Sequence, residues 1–380
     1  MRIVGANATA YLVRVIKTLT NLSHEGAILA VIASLAVFNM FGHGVLAPAA
    51  GAFAILSFLW LMGVMVWGAS AVVRHAEALA ERLGEPYGTL ILTLAVVCIE
   101  VALIGSVMLS GDGGPTLARD TMFAVVMIVL NGLVGLSLLL GALRHGEQSY
   151  NFAGASSFLT VLVPLAVFAL VLPDYTISSR DGSFTTGQAL FFSVITFALY
   201  LVFLSIQTVR HRGFFTEPEE PAVAQRRHAG YATWAHGLLL IATLLPIVLL
   251  SKKMAGFVDH GINVMSLPAA LGGVVIATIV LASEGMSAVR AAMANRLQRA
   301  VNLCLGAALS TIGLTVPATL IIGMVTGQGV ILGLGSQMQV LLALTLLTCV
   351  QTFGARRTNV LHGAVHLVLF LAYLALILEP

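Results

Sequence analysis

Eleven times along this chain, a stretch of about 20 residues runs almost without charge, which is the length of helix that crosses the hydrocarbon of a bilayer. The runs lie at 27–47, 50–73, 88–110, 121–143, 153–172, 187–209, 231–250, 263–289, 300–324, 328–352 and 359–378. Backbone entering hydrocarbon must satisfy its own N–H and C=O groups, and a helix does so within one segment. The expectation is an all-α polytopic membrane protein of eleven transmembrane helices. Composition agrees: 59% of residues are hydrophobic and 9% are charged, whereas a soluble domain has about a quarter charged. Such a chain cannot clothe itself in a polar surface, which excludes a soluble enzyme. The net charge of +3 is scattered without a basic block, so no nucleic-acid partner is expected.

The basic residues orient the runs. With the N-terminus cytoplasmic, the inner segments hold Arg2, Arg14, Lys17, Arg74, Arg82, Arg144, Arg210, Arg212, Arg226, Arg227, Arg290, Arg296, Arg299, Arg356 and Arg357. The outer segments hold only Arg119, Arg180, Lys252 and Lys253. Cytoplasmic loops are enriched in Lys and Arg, so the reading is N-terminus inside and C-terminus outside. No A-x-A-like site follows the first run, which is therefore expected to persist as a helix rather than be cleaved. Cys98, Cys304 and Cys349 each sit in an apolar run and read as small buried hydrophobes, not a disulfide framework. The division expected is 1–48 for the N-terminus and first helix, 49–209 for a first repeat, 210–229 for a cytoplasmic acidic linker and 230–380 for a second repeat.

Of the 16 acidic residues, most read as lying in loops, tails or helix ends. Glu100 and Glu284 are embedded in apolar sequence instead. A charge at the bilayer centre costs about 3 kcal/mol on insertion scales, so such a residue is by default functional. The two are also matched. Aligning GTLILTLAVVCIE on GGVVIATIVLASE brings Glu100 onto Glu284 and Gly88 onto Gly272, with Pro86 and Pro268 just upstream. Twelve residues of helix rise about 18 Å, which carries both carboxylates toward the midplane. One run goes outward and the other inward, so runs two to six and seven to eleven form five-helix units of opposite topology. Inverted repeats around a midplane site are a common plan for secondary transporters. Gly88, Gly272 and Gly273 allow close helix packing or exposed carbonyls beside the glutamates.

These segments are familiar. GEPYGTLILTLAVVCIEVALI (Gly84–Ile104) and LPAALGGVVIATIVLASEGMSAVRAAMANRLQRAVNLCLGAALSTIGLTVP (Leu267–Pro317) resemble the two signature segments of bacterial calcium/proton antiporters of the cation/calcium exchanger superfamily. QTVRHRGFF (Gln207–Phe215) and RTNVLHGAVHLVLF (Arg357–Phe370) resemble the branch also described as sodium-potassium/proton antiporters. The resemblance implies an extra N-terminal helix before two inverted five-helix repeats. It also implies Glu100 and Glu284 as the essential acidic residues, binding transported Ca²⁺, Na⁺ or K⁺ in competition with protons. It implies no cofactor, no enzymatic activity and a bacterial cytoplasmic membrane as the setting. This chain departs from many exchangers in carrying Val96, Val97, Val280 and Leu281 where a Gly-Asn pair or Ser/Thr often precedes the glutamate.

Supporting oxygens are therefore sought elsewhere: Asn131 in the fourth run and Ser310 first, then Thr311 in the ninth, with Thr93 and Ser283 on the glutamate runs themselves. Each has interhelical or intrahelical bonding as its simpler role. His362 and His366, four apart, share a helix face, but with no H-E-x-x-H motif they read as interhelical or proton-path groups before a metal site. Two alternatives stand beside a cation/proton antiporter. An intramembrane metal-dependent enzyme would need no duplicated segments. A carrier of organic solutes would call for an aromatic cavity, whereas aromatics are 7% of the chain. Oligomeric state, stoichiometry and main cation are left open.

Overall fold

The computed structural model describes residues 25–41, 52–83, 87–110, 114–179, 181–216 and 232–379, nearly all helical. In chain order the helices are α1 (Gly26–Phe41), α2 (Ala52–Leu83), α3 (Tyr87–Ser110), α4 (Leu117–His145), α5 (Phe152–Leu170), α6 (Thr186–Arg210), α7 (Thr233–Met265), α8 (Ala270–Met293), α9 (Leu297–Thr326), α10 (Ser336–Gly354) and α11 (Val360–Leu378). Among the described residues, eight are long and apolar enough to cross a membrane. A ninth is α8, bent by 56° between Ala270–Ala282 and Glu284–Met293. The 16 residues of α1 and the apolar part of α3, Thr93–Ser106, are shorter than a span. The basic N-terminal segment, Arg180, and the linker residues Glu217, Glu219 and Glu220 lie outside the described residues.

Several expected boundaries shift. The helices α2 and α7 have 32 and 33 residues, longer than their apolar runs. Lys252, Lys253 and Asp259 therefore lie on α7 rather than in a loop. At about 1.5 Å per residue, α7 outreaches the hydrocarbon, and long Lys stems can carry their charge to the interface. The tenth run begins late: Gly327 adopts the left-handed conformation with φ 71° and ends α9, and helix resumes only at Ser336. Cys304 and Cys349 are buried as expected, whereas Cys98 is exposed on the flank of α3; all three thiols are free.

Caps fix where the chain turns. The Asn151 side chain accepts from the backbone N–H groups of Ala153 and Gly154 to start α5. Capping boxes Thr185–Gln188 and Asn359–His362 start α6 and α11, each satisfying otherwise orphaned N–H groups. The connections then gather on two faces. On the face carrying Arg144, Arg296, Arg356 and Arg357, Gln148–Ser149 pairs antiparallel with Arg357–Thr358. Gln148 Nε2 donates to Ala292 O at 2.9 Å, and Asn302 Nδ2 donates to Phe215 O at 2.5 Å. On the opposite face, a bridge pairs Ser183 with Ile331, and Ile331 N donates to Pro115 O at 2.9 Å.

Within the bundle α2 packs along α7, flanked by α1 and α3. Helix α8 lies between α2 and α4, α11 lies on α4, α6 on α9, and α5 against α9 and α10. A glycine permits the first of these. A Cβ at Gly68 would come within 2.7 Å of Val31 Cγ2 and 2.9 Å of Ile247 Cδ1, so any side chain there would have to push those two aside for α2 to sit this close to both α1 and α7. Glu25 is buried at this junction. Its Oε2 accepts from Arg74 Nη2 at 2.8 Å and lies 3.1 Å from His75 Nε2, while His75 Nδ1 is 3.0 Å from His236 Nδ1.

Candidate cation site

Two helices carry the glutamates and two others brace them. Glu100, in α3, is 2% exposed, and Glu284 stands at the bend of α8. The helices that carry them, α3 and α8, pack against each other, and α2, which carries Glu77, packs on both. Among the described residues neither is ion-paired with Lys or Arg. Glu100 Oε1 and Glu284 Oε2 are buried and have no hydrogen-bond partner there. An unmatched carboxylate oxygen in a dry site is costly, and a cation or a proton removes that cost.

The bracing helices are both interrupted by a π-helical turn, Ile128–Leu133 in α4 and Thr311–Thr315 in α9. The extra residue in such a turn breaks the i→i−4 ladder and often marks a functional site. The α9 turn brings Thr311 to Glu100: its hydroxyl donates to Oε2 at 3.0 Å. Thr315, which the sequence reading passed over, is fully buried. It is near enough to Glu100 to influence it, yet its hydroxyl makes no hydrogen bond of ordinary geometry. The T-x-x-x-T spacing in TIGLT (residues 311–315) was the available signal. The α4 turn lies against α8, where a Cβ at Gly285 would meet Leu133 Cδ2 at 2.7 Å.

Among the described residues, the hydrogen bonds of the other expected side chains run to groups other than the two glutamates. Asn131 Nδ2 donates to Thr345 Oγ1 at 2.8 Å, and Asn131 Oδ1 lies 3.1 Å from His366 Nδ1. The Ser310 hydroxyl donates to Ala307 O at 3.0 Å, an intrahelical bond that spends its proton locally. Thr93 lies against the hydroxyl of Tyr200 on α6. The side chain of Ser283 is outside the described residues. Gly88 lies in the first turn of α3. A Cβ at Gly272 would make ordinary contact with α7, whereas at Gly273 it would come within 2.6 Å of Asp120 C, so Gly273 is where α8 crosses α4. His362 and His366 do not act together: His362 Nδ1 accepts from the Asn359 backbone at 3.3 Å in the α11 cap, and His366 is buried. Among the described residues no three His, Cys, Asp or Glu side chains converge on a metal position.

A bundle of helices long and apolar enough to cross a membrane is the build of a carrier, and by its family and relatives this protein is an antiporter that exchanges cations for protons. More narrowly, the chain belongs to the sodium/calcium exchanger protein family, whose profile matches residues 53–209 and 235–378. It is 42% identical over 328 residues to the putative ionic transporter y4hA of Sinorhizobium fredii, covering 86% of this chain and 89% of that one. It is 41% identical over 324 residues to the sodium-potassium/proton antiporter ChaA of Escherichia coli K12, covering 84% and 87%. Among solved structures, native YfkE superimposes with a TM-score of 0.72 at 16% identity, covering 93% of this chain and 100% of that one.

Proposed function

We propose that this protein exchanges Ca²⁺, and also Na⁺ or K⁺, for protons across the bacterial cytoplasmic membrane by alternating access, with Glu100 and Glu284 binding cation and protons in competition. The observation that carries this reading is the pair itself: one carboxyl from each of two helices that pack together, each with a buried oxygen that no described group satisfies. Two adjacent carboxylates in a dry site resist being charged together, so an empty pair takes up protons. A cation reverses that balance and expels them. Ca²⁺ takes six to eight oxygens; the glutamates supply charge, and Thr311, Thr315, Asn131 and backbone carbonyls at the α8 bend are the neutral candidates. One Ca²⁺ against two protons is electroneutral, and one Na⁺ or K⁺ leaves room for one proton. Either loaded site crosses the low-dielectric centre without net charge, whereas the empty dianion does not.

An N-terminal helix followed by two inverted five-helix repeats supplies the alternation. Several independent features support that architecture. One constant offset carries Glu100 onto Glu284, the α4 π-turn to within a residue of the α9 π-turn, and Phe152, which opens α5, onto Ser336, which opens α10. The ladder joining the α4–α5 and α10–α11 connections on one face has its counterpart in the bridge joining the α9–α10 and α5–α6 connections on the other. The family profile also matches in two stretches. The gathering of Arg-rich connections on one face favours that face as cytoplasmic.

A second reading, Na⁺(K⁺)/proton exchange with little Ca²⁺ transport, has one observation in its favour. The E. coli sodium-potassium/proton antiporter is 41% identical to this chain, against 22% for the Ca²⁺/H⁺ antiporter of Bacillus subtilis. Proton-gradient-driven uptake in inverted vesicles, read with each cation in turn, separates the two. In the same assay Glu100→Gln and Glu284→Gln abolish exchange; normal exchange in either variant refutes the assignment.

A further inference from the structure

His366 has no part in the mechanism above, yet it is buried with both ring nitrogens engaged. Nε2 lies 3.1 Å from Thr352 Oγ1 on α10, and Nδ1 lies 3.1 Å from Asn131 Oδ1 on α4. Asn131 is held at its other end as well, Nδ2 donating to Thr345 Oγ1 at 2.8 Å and to Met127 Sδ at 3.5 Å. Because Asn131 Oδ1 is an acceptor, His366 carries its proton on Nδ1, and that N–H persists whether the ring is neutral or charged. A histidine that served only to join α10 and α11 would need Thr352 alone. The second nitrogen goes instead to a residue in a π-helical turn.

That turn is the counterpart of the one that serves Glu100. The offset relating Glu100 to Glu284 puts Met127 one repeat from Thr311, and Asn131 one repeat from Thr315. Thr311 donates to Glu100, but Met127 offers Glu284 no such donor. Asn131 is the polar side chain that the α4 turn carries beside the Glu284 helix, which packs on it through Gly285 and Leu133. Helix α11 comes close enough for the imidazole to reach because glycines face both ways. A Cβ at Gly363 would fall 2.5 Å from Leu139 N, and one at Gly135 would fall 3.0 Å from Leu367 N.

We propose that His366 is a positioning residue for exchange: by donating to Asn131 Oδ1 it fixes the amide so that the second lone pair of that oxygen is aimed for the transported cation. An amide oxygen accepts twice, and groups that orient a ligand from behind typically change metal affinity by about 10–100-fold. The inference rests on the cation site proposed above.

The test is transport in vesicles, with KM for Ca²⁺ and for Na⁺ and kcat measured separately. His366→Leu raises cation KM by about 10–100-fold with kcat largely kept, His366→Gln restores most of the affinity through its own N–H, and Thr345→Val, which loosens the other end of the amide, raises KM in the same sense. In an Asn131→Ala background His366→Leu adds nothing further, because coupled residues are not additive. Unchanged KM in His366→Leu and Thr345→Val, or an equal effect with Asn131 absent, overturns the proposal. If His366→Leu does not fold, the His366→Gln and Thr345→Val arms decide. Glu100→Gln and Glu284→Gln run alongside: if they transport normally the underlying site is wrong, whereas if they are dead and the His366 arms are silent, only this inference falls.

Discussion

Replacing Thr311 by Val removes one hydroxyl and little volume, and the site geometry sets the consequence. Thr311 Oγ1 donates to Glu100 Oε2 at 3.0 Å, and the residue is 3% exposed, so water cannot stand in for it. A hydrogen bond to a charged acceptor contributes about 1.5–3 kcal/mol and one between neutral groups about 0.5–1.5 kcal/mol. The hydroxyl therefore favours the charged carboxylate, the form proposed to bind cation, over the protonated one by about 1.4 kcal/mol, or tenfold in competition. In vesicle flux assays, Thr311→Val raises the apparent cation KM about tenfold at neutral pH. The defect shrinks as pH rises, because fewer protons then compete. Thr311→Ser keeps the donor and stays near wild type. A Val variant with unchanged KM across the pH range, or a Ser variant as impaired as Val, refutes the reasoning.

The packing and the connections give two further expectations. Gly273→Ala drives a Cβ against backbone at 2.6 Å from Asp120 C, so α8 and α4 must part at a cost of about 1–3 kcal/mol, read as a lower unfolding midpoint in detergent. Gly256→Ala on α7, with nothing within 4 Å of the added atom, is the control and leaves the midpoint unchanged. At the α5–α6 connection, burial pushes the Asp174 carboxyl above its ordinary value, against the Gln339 bond and the Arg119 charge that pull it down. The folded chain thus favours the protonated acid, and the stability this brings is lost as pH rises from the ordinary carboxylate value through the raised one. Asp174→Asn should match wild type in acid and be the more stable form at pH 8; a variant less stable than wild type at pH 8 counts against that.

Much of this was readable in the chain because hydrocarbon imposes a simple rule: apolar length announces a helix, and a carboxylate in apolar sequence announces a role. Glu100 and Glu284 stand out by that rule, and Thr311, picked out only as a polar residue after a glutamate helix, does reach Glu100. Where sequence misled, tertiary structure decided. Lys252 read as an outer-loop residue because charge interrupts an apolar run, yet it lies well inside α7. The cluster of Glu25, Arg74 and His75 was not foreseen, because a buried ion pair leaves no local pattern and partners on separate segments are invisible until those segments meet. Asn131 was singled out as a polar residue in an apolar run, but its partners His366 and Thr345 lie more than two hundred residues away and could not be foreseen. The π-turns escaped for a related reason, since one extra residue in a helix has no compositional mark.

The central claim, that cation and protons compete for one pair of carboxyls, is tested most directly without any gradient. Purified protein in weakly buffered detergent solution, with a pH dye present, is titrated with Ca²⁺, Na⁺ and K⁺ in turn. Competition predicts saturable proton release with at least one cation, reduced in Glu100→Gln or Glu284→Gln and absent in the double variant. Release that survives in the double variant, or no release with any of the three ions, contradicts it.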